Sequence, residues 1–227
     1  MGEIEESGPE SGFAADRPNL TEQVYGQLMD LLIRGELRPG DVIAERPMAE
    51  QLKASRTPIR EALGRLEAEG LVYKQPNRGV IVSLFSTEAF VDILNVRQLL
   101  EAEAARLAAG RIPAERLAAI RAALRSLGEK AKPTLSEIWE VDDMLHGEIA
   151  DTAGNELMAS MIRDLRRRTH VFNAYRKSVE PSASIEENLL LLDAIESGDS
   201  ERARIAMAEH IETVKLALIG RLSGTRR

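Results

Sequence analysis

No cysteine occurs in the 227 residues, which excludes disulfide staples, thiolate zinc sites and thiol catalysis. Any metal must then sit on His, Asp, Glu or Asn, and histidine is scarce: His146, His170 and His210 are the only three. No apolar run approaches the ~20 residues that a membrane-spanning helix needs. The first residues, MGEIEESGPESGFAADRP, lack the basic start and apolar core of a signal peptide, which points to a cytoplasmic protein without membrane association. There is no repeat of solenoid period. A general basic footprint is also missing, since the formal net charge is -7, which argues against non-specific affinity for nucleic acid.

What is present points to two folded domains behind a tail. Hydrophobic residues make up 44% and charged residues 30%, a soluble globular balance, and the length suits two cores better than one. Residues 1–17 hold five acids and one base and read as a disordered acidic tail. The acidity is unevenly spread, because residues 18–83 carry nine acids and nine bases. A neutral segment of that kind can bind DNA if its Arg and Lys share a face.

Leu20, Val24, Leu28, Leu31 and Leu32 recur at helix spacing, with Thr21 near the start and Gly35 after the end. LRPGDVI then holds a Pro-Gly turn and a short β-prone run. A second helix is expected over Pro47 to Leu52, with Pro at a permitted first-turn position. In TPIREALGRLEAEG, Ile59, Ala62, Leu63 and Leu66 mark a third helix, opened by Thr57 and Pro58 and stopped by Gly70. LVYKQ and VIVS flank PNRG as two strands about a turn. Helix, helix, helix, hairpin over residues 18–84 predicts a winged helix-turn-helix, whose last helix enters the major groove.

The DNA-reading chemistry should gather at that helix's start. Ser55, Arg56, Thr57 and Arg60 in SRTPIR combine phosphate donors with guanidinium groups able to pair with a guanine edge. Arg46 opens the preceding helix, and Arg78 sits at the wing tip between Asn77 and Gly79, suited to a phosphate or minor-groove contact.

From Thr87 onward, helical patterns predominate over 87–110, 113–131, 134–153, 155–178, 184–197 and 200–222. The breaks fall at GRIP, AKPT, Gly154-Asn155, EPSAS and SGDS. Residues 85–223 are therefore expected to form an all-α bundle of six to seven helices, making the whole chain mostly α. Within it, Asp142 and His146 in DDMLHGEIADTAGN lie one turn apart on one helical face. Such a pair is either a metal-chelating half-site or an ion pair. His210 lies on another helix that could face the pair across the bundle. The run Arg166, Arg167, Arg168 covers most of a turn, so at least one should face solvent.

Two stretches resemble a known family. The run PGDVIAERPMAEQLKASRTPIREALGRLEAEGLVYKQPNRGVIV is similar to the N-terminal domain of GntR-family bacterial transcription regulators over nearly all of residues 20–83. Pro47 departs from the acidic or polar residue often found there. VRQLLEAEAARLAA, DDMLHGEIADTAGN and IEENLLLLDAIESGDSERARIAMAEHI resemble the FadR-type effector-binding domain called FCD, over roughly residues 87–215. The resemblance implies operator contacts by Arg46, Ser55, Arg56, Thr57, Arg60 and the Asn77, Arg78, Gly79 tip. It also implies a metal held by Asp142, His146 and His210, with Asn188 where a third family His stands. The donor set suits a divalent ion, zinc first, with nickel or manganese as alternatives.

Arg97 matches a family arginine that projects into the effector cavity, where it can clamp a carboxylate; its other role would be a salt bridge with Glu101. Asn173, Tyr175 and Ser184 are further pocket candidates, and His170 falls outside the family pattern. The expected protein is a non-enzymatic, homodimeric regulator of a palindromic operator, modulated by a small carboxylate with a divalent metal. Two other readings stay open: a metal-dependent enzyme using two His and one carboxylate, and a constitutive DNA-binding dimer without an effector.

Overall fold

A computed structural model describes residues 20–84, 86–176 and 181–222, with the side chains of 174–176, 181–184, 218, 221 and 222 outside that description. The acidic tail, 1–17, lies outside the described residues. The order is α1 (Leu20–Ile33), β1 (Val42–Ile43), α2 (Glu45–Gln51), α3 (Arg56–Ala68), β2 (Val72–Gln75) and β3 (Gly79–Val82). There follow α4 (Thr87–Ala108), α5 (Ala114–Gly128), α6 (Leu135–Thr152), α7 (Glu156–Arg176), α8 (Pro181–Glu196) and α9 (Ser200–Leu222). This is the mostly α architecture expected, with six helices in the second half among the described residues. No helix there is long and apolar enough to cross a membrane.

The first half is a three-helix unit closed by a small antiparallel sheet of order β1-β3-β2. Ile59, Leu63 and Leu66 of α3 are buried against Leu28 and Leu32 of α1, each burial stabilising the unit by roughly 1.5–3 kcal/mol. Gly70, at φ +73°, ends α3 in a conformation that costs a residue with a Cβ, and Leu71 N donates back to Leu66 O at 2.9 Å. Two details differ from expectation. α2 starts at Glu45, two residues early, so Pro47 falls inside the first turn, where its missing N–H is no loss. The β-prone run also joins the hairpin as a third strand, pairing Val42 with Ile81 and Ile43 with Val80.

In the second half, α4 packs along α9 and against α6 and α7. Ala104, Ala105 and Ala108 are fully buried on α4, and their small side chains allow close helix approach. Gln98 of α4 donates from its side-chain Nε2 to Ala208 O of α9 at 2.9 Å, tying α4 to the backbone of α9. Helix starts follow the capping rules. Ser86 accepts from Ala89 N, while Thr134 and Glu137 form a reciprocal capping box at α6.

The halves meet along α7. Val171 is fully buried within the first half's apolar core, although it belongs to the bundle's own helix. Beside it, Arg167 lies 3.5 Å from Glu69 and over the Tyr25 ring at 5.7 Å, while also pairing with Asp164. Arg65 stacks on the same ring at 3.8 Å, and Tyr25 donates its hydroxyl to Glu69 at 2.7 Å. Burial and that hydrogen bond push the Tyr25 phenol above its ordinary range, so it stays a neutral donor.

Candidate metal centre and nucleic-acid interface

α6 presents Asp142 and His146 one turn apart, and α9 brings His210 to them; ligating atoms of all three lie within 4.8 Å of one another. The His146 and His210 rings sit 5.2 Å apart, centre to centre. Two donor atoms at ~2.0–2.1 Å from one tetrahedral ion stand ~3.4 Å apart, so the set would have to close by roughly 1.4 Å at its widest to hold one. His146 Nε2 and Asp142 Oδ1 are 3.7 Å apart, too long for a hydrogen bond. Buried His146 Nε2 and His210 Nδ1 have no hydrogen-bond partner. His210 Nδ1 does lie 3.5 Å from a Glu187 carboxylate oxygen; two buried imidazoles beside a carboxylate fit a divalent ion.

Residues around the trio set its protonation. Glu101 of α4 lies 2.5 Å from His146 Nδ1 and, ionised, accepts a hydrogen bond from it, leaving Nε2 as the lone-pair nitrogen. Burial opposes ionisation of Glu101, but Arg97, His146 and Arg166 outweigh it and hold the carboxyl below its ordinary range. Burial, aided by Arg166, pushes His146 down to about 4, so its imidazole is neutral near pH 7. The guanidinium of Arg166, 3% exposed, donates to Asp142 Oδ2 at 2.6 Å and to Asp143 Oδ1 at 2.8 Å. Burial opposes Asp142 too, yet Arg166 and the neighbouring histidines hold it well below the usual carboxylate range. Arg166 thus occupies Oδ2 of Asp142, while Oδ1 lies between His146 and the amide of Asn188.

The other expected site residues fall in different places. Asn188 of α8 is buried and joins the cluster by donating from Nδ2 to Asp142 Oδ1 at 3.1 Å; its own Oδ1 has no partner. Arg97 makes the salt bridge that is one of its two open roles. It pairs with Glu101 at 2.6 Å within α4 and donates to Thr169 at 3.2 Å, with 5% of its surface exposed. His170 Nε2 contacts Asp143 at 2.9 Å and its ring lies 4.9 Å from Trp139. Asn173 is half-buried on α7, three residues beyond His170. The side chains of Tyr175 and Ser184 lie outside the described residues.

Sequence reasoning missed Glu101, Asp143 and Arg166. The Arg97–Glu101 spacing was the available signal for the first. Arg166 was hidden in a basic run expected to face solvent in part, and its neighbours Arg167 and Arg168 are only half-buried.

The nucleic-acid candidates are all exposed: Arg46, Ser55, Arg56, Thr57, Arg60, and the tip residues Asn77, Arg78 and Gly79. Ser55 precedes the first turn of α3, so Arg56, Thr57 and Arg60 project from its start. Asn77 at φ +65° and Gly79 at φ +93° turn the wing between β2 and β3. Arg46 pairs with Glu50 at 3.2 Å; Arg56 and Arg60 both reach Glu45.

Comparison with known proteins agrees with this arrangement. Residues 20–82 match the family described as "Bacterial regulatory proteins, gntR family", and residues 92–213 match "FCD domain". The Nta operon transcriptional regulator of Aminobacter aminovorans is 33% identical over 131 residues, a match covering 58% of this chain and 62% of that protein. The HTH-type transcriptional regulator LutR of Bacillus subtilis (strain 168) is 29% identical over 214 residues, covering 84% and 97%. Among solved structures, E. coli McbR/YncC superposes with a TM-score of 0.80 at 27% identity, over 91% of this chain and 100% of that one.

Proposed function

The chain belongs to the GntR family of bacterial regulatory proteins, in the group that carries an FCD domain, and from that premise we propose a metal- and carboxylate-dependent operator switch. It is a transcription regulator rather than an enzyme, as its relatives are. The observation that carries the finer reading is the convergence of Asp142, His146 and His210 on one buried point, with Glu101 orienting His146. Those three residues would hold a zinc, nickel or manganese ion, which would offer a Lewis-acidic position to the carboxylate of a small organic acid. Asn188 acts on Asp142 from the side. Arg97, spent on Glu101, supports the centre rather than clamping the acid.

What supports a link from this centre to DNA is the pattern of α7. Arg166 and His170 contact Asp143, with Arg166 also on Asp142, while Arg167 and Val171, each one residue on, contact the winged helix. A ligand that favours one setting of α7 would favour one setting of the recognition helix, to the extent of its differential affinity. Arg46, Ser55, Arg56, Thr57, Arg60 and the 77–79 tip are the operator contacts in this reading. A homodimer on a palindromic operator follows from one recognition helix per half-site, and exposed Val96 and Leu99 on α4 offer apolar surface for pairing.

The test is metal analysis of untagged protein, followed by operator binding with and without the ion. About one divalent ion per chain is expected in the wild type and none in His146→Ala; equal content in both removes the site. The constitutive-dimer reading is favoured by one observation, that Arg166 already neutralises Asp142. Identical operator affinity with and without metal would select it.

A further inference from the structure

The start of the recognition helix contains a contact that neither the metal centre nor the list of basic residues explains. Glu45, the first residue of α2, accepts from Arg60 Nε at 3.2 Å on one oxygen and from Arg60 Nη2 at 2.9 Å on the other. Arg56, one turn earlier on α3, reaches the same carboxylate from Nη2 at 3.4 Å. The Glu45 side chain is 27% exposed, whereas those of Arg56 and Arg60 are 64% and 63% exposed. The pair made by Arg46 with Glu50 is different in kind: a single contact between side chains 83% and 70% exposed.

The edge that Glu45 takes is decisive. A guanidinium offers five N–H bonds around a planar fork. The side-on pairing uses Nε–H and one Nη2–H of Arg60. The terminal edge, formed by Nη1 and the other Nη2–H, has no protein partner among the described residues. That edge carries two parallel donors able to pair with O6 and N7 of guanine in the major groove. Glu45 therefore fills one two-donor edge of Arg60 and leaves the terminal one open for a base.

We propose that Glu45 is a positioning residue for base recognition, holding Arg60 so that its terminal edge reads a guanine while the carboxylate repels the phosphate backbone. This rests on the reading that α3 enters the operator. Two consequences follow from the charge. Free to rotate, Arg60 would settle on phosphate, which carries no sequence information. An acid on the reading face subtracts from the electrostatic affinity common to all DNA, and so widens the gap between operator and unrelated duplex. A glutamine cannot substitute, because its amide nitrogen would present donors to one of the two Arg60 donors.

The experiment uses the full-length chain and an operator selected by the wild type from random duplexes. Affinities are measured for that operator, for copies with each guanine replaced by 7-deazaguanine, and for an unrelated duplex, with wild type, Glu45→Gln and Arg60→Ala. At one guanine per half-site, wild type should lose roughly 5- to 150-fold on losing N7. Glu45→Gln should lose most of that discrimination while binding the unrelated duplex more tightly and with a steeper salt dependence, by ~0.9 in the log–log slope for one added phosphate contact. A merely structural role for Glu45 would weaken all duplexes together. Wild-type discrimination in Glu45→Gln, with discrimination lost in Arg60→Ala, overturns the role of Glu45 alone. Unchanged binding and discrimination in Arg60→Ala overturns the DNA contact itself, and the proposal with it.

Discussion

Nδ1 of His146 lies 2.5 Å from Oε2 of Glu101, and this contact decides which imidazole nitrogen faces the candidate metal centre. With the proton on Nδ1 and donated to Glu101, Nε2 carries the lone pair toward Asp142. A carboxylate behind a ligating histidine fixes its tautomer and raises its basicity, and loss of such a partner typically lowers metal affinity ~10–100-fold. Glu101→Gln should show a loss of that size for zinc in competition with a chromophoric chelator. Because the same carboxylate neutralises Arg97, folding of the variant should be checked by urea denaturation at the same pH. Wild-type zinc affinity in a folded Glu101→Gln would show that His146 is not oriented through this contact.

Much of this molecule is legible in its sequence, and the rest is hidden for a physical reason. Helix positions follow from apolar spacing within one segment, and the candidate DNA-reading arginines are proposed from their place at a helix start beside turn residues. β1 is two residues long, too short for any alternation to show, so its pairing with β3 emerges only in three dimensions. Asp142 and His146 could be paired on paper because they share a helix. Arg166 could not, since its partners lie 23 and 24 residues away on another helix, and composition alone gives no reason to bury a guanidinium. Val171 is hidden in the same way: it reads as bundle core but fills the core of the winged helix.

Metal-free protein should lose stability as the pH falls from 6.5 toward 4. The unfolded His146 takes a proton near its ordinary value of 6.5, while the folded imidazole resists until about 4, so the stabilisation is complete above 6.5 and is removed progressively below it. For one fully buried group the total is about 3 kcal/mol, with a slope no steeper than ~1.4 kcal/mol per pH unit. Glu101 and Asp142, both held low in the folded state, add their own losses only toward the acid end. Urea midpoints at pH 7.5, 6.0 and 4.5 in a chelator test this, with His146→Gln as the reference. The difference between the two profiles should grow steadily on acidification; parallel profiles would show that His146 does not titrate as its burial requires.

Gly110 and Gly198 form a close crossing between the loop after α4 and the loop after α8, and the two should respond unequally to alanine. Both have left-handed backbones, at φ +69° and +74°. A Cβ on Gly110 would stand 3.0 Å from Gly198 Cα, whereas a Cβ on Gly198 would meet Gly110 Cα at an ordinary 3.8 Å. Gly198→Ala should cost the ~1–2 kcal/mol of a left-handed non-glycine residue. Gly110→Ala should cost more, because backbone must shift and the hydrogen bond from Gly110 N to Ile195 O, 2.9 Å, moves with it. Equal denaturation midpoints for the two variants would contradict the close approach.

The offset pairs on α7 make the sharpest prediction about switching. Arg166 and His170 belong to the candidate metal centre's surroundings, and Arg167 and Val171 contact the winged helix, so a rotation or shift of one turn of helix is felt by both. Removing the second pair should leave the first intact. Arg167→Met and Val171→Ala together should bind zinc like the wild type and still bind the operator, since neither residue touches the metal trio or the exposed face of α3. What should vanish is the dependence of operator affinity on zinc. Val171→Ala alone should also lower stability by roughly 2 kcal/mol, the cost of deleting buried methyl groups with partial collapse of the cavity. Calorimetry with zinc and operator titrations with and without it separate these effects. A double variant that keeps the full zinc response would mean that the signal reaches DNA by another contact, such as the packing of Ile33 against the cluster of Leu127, Ile138 and Trp139.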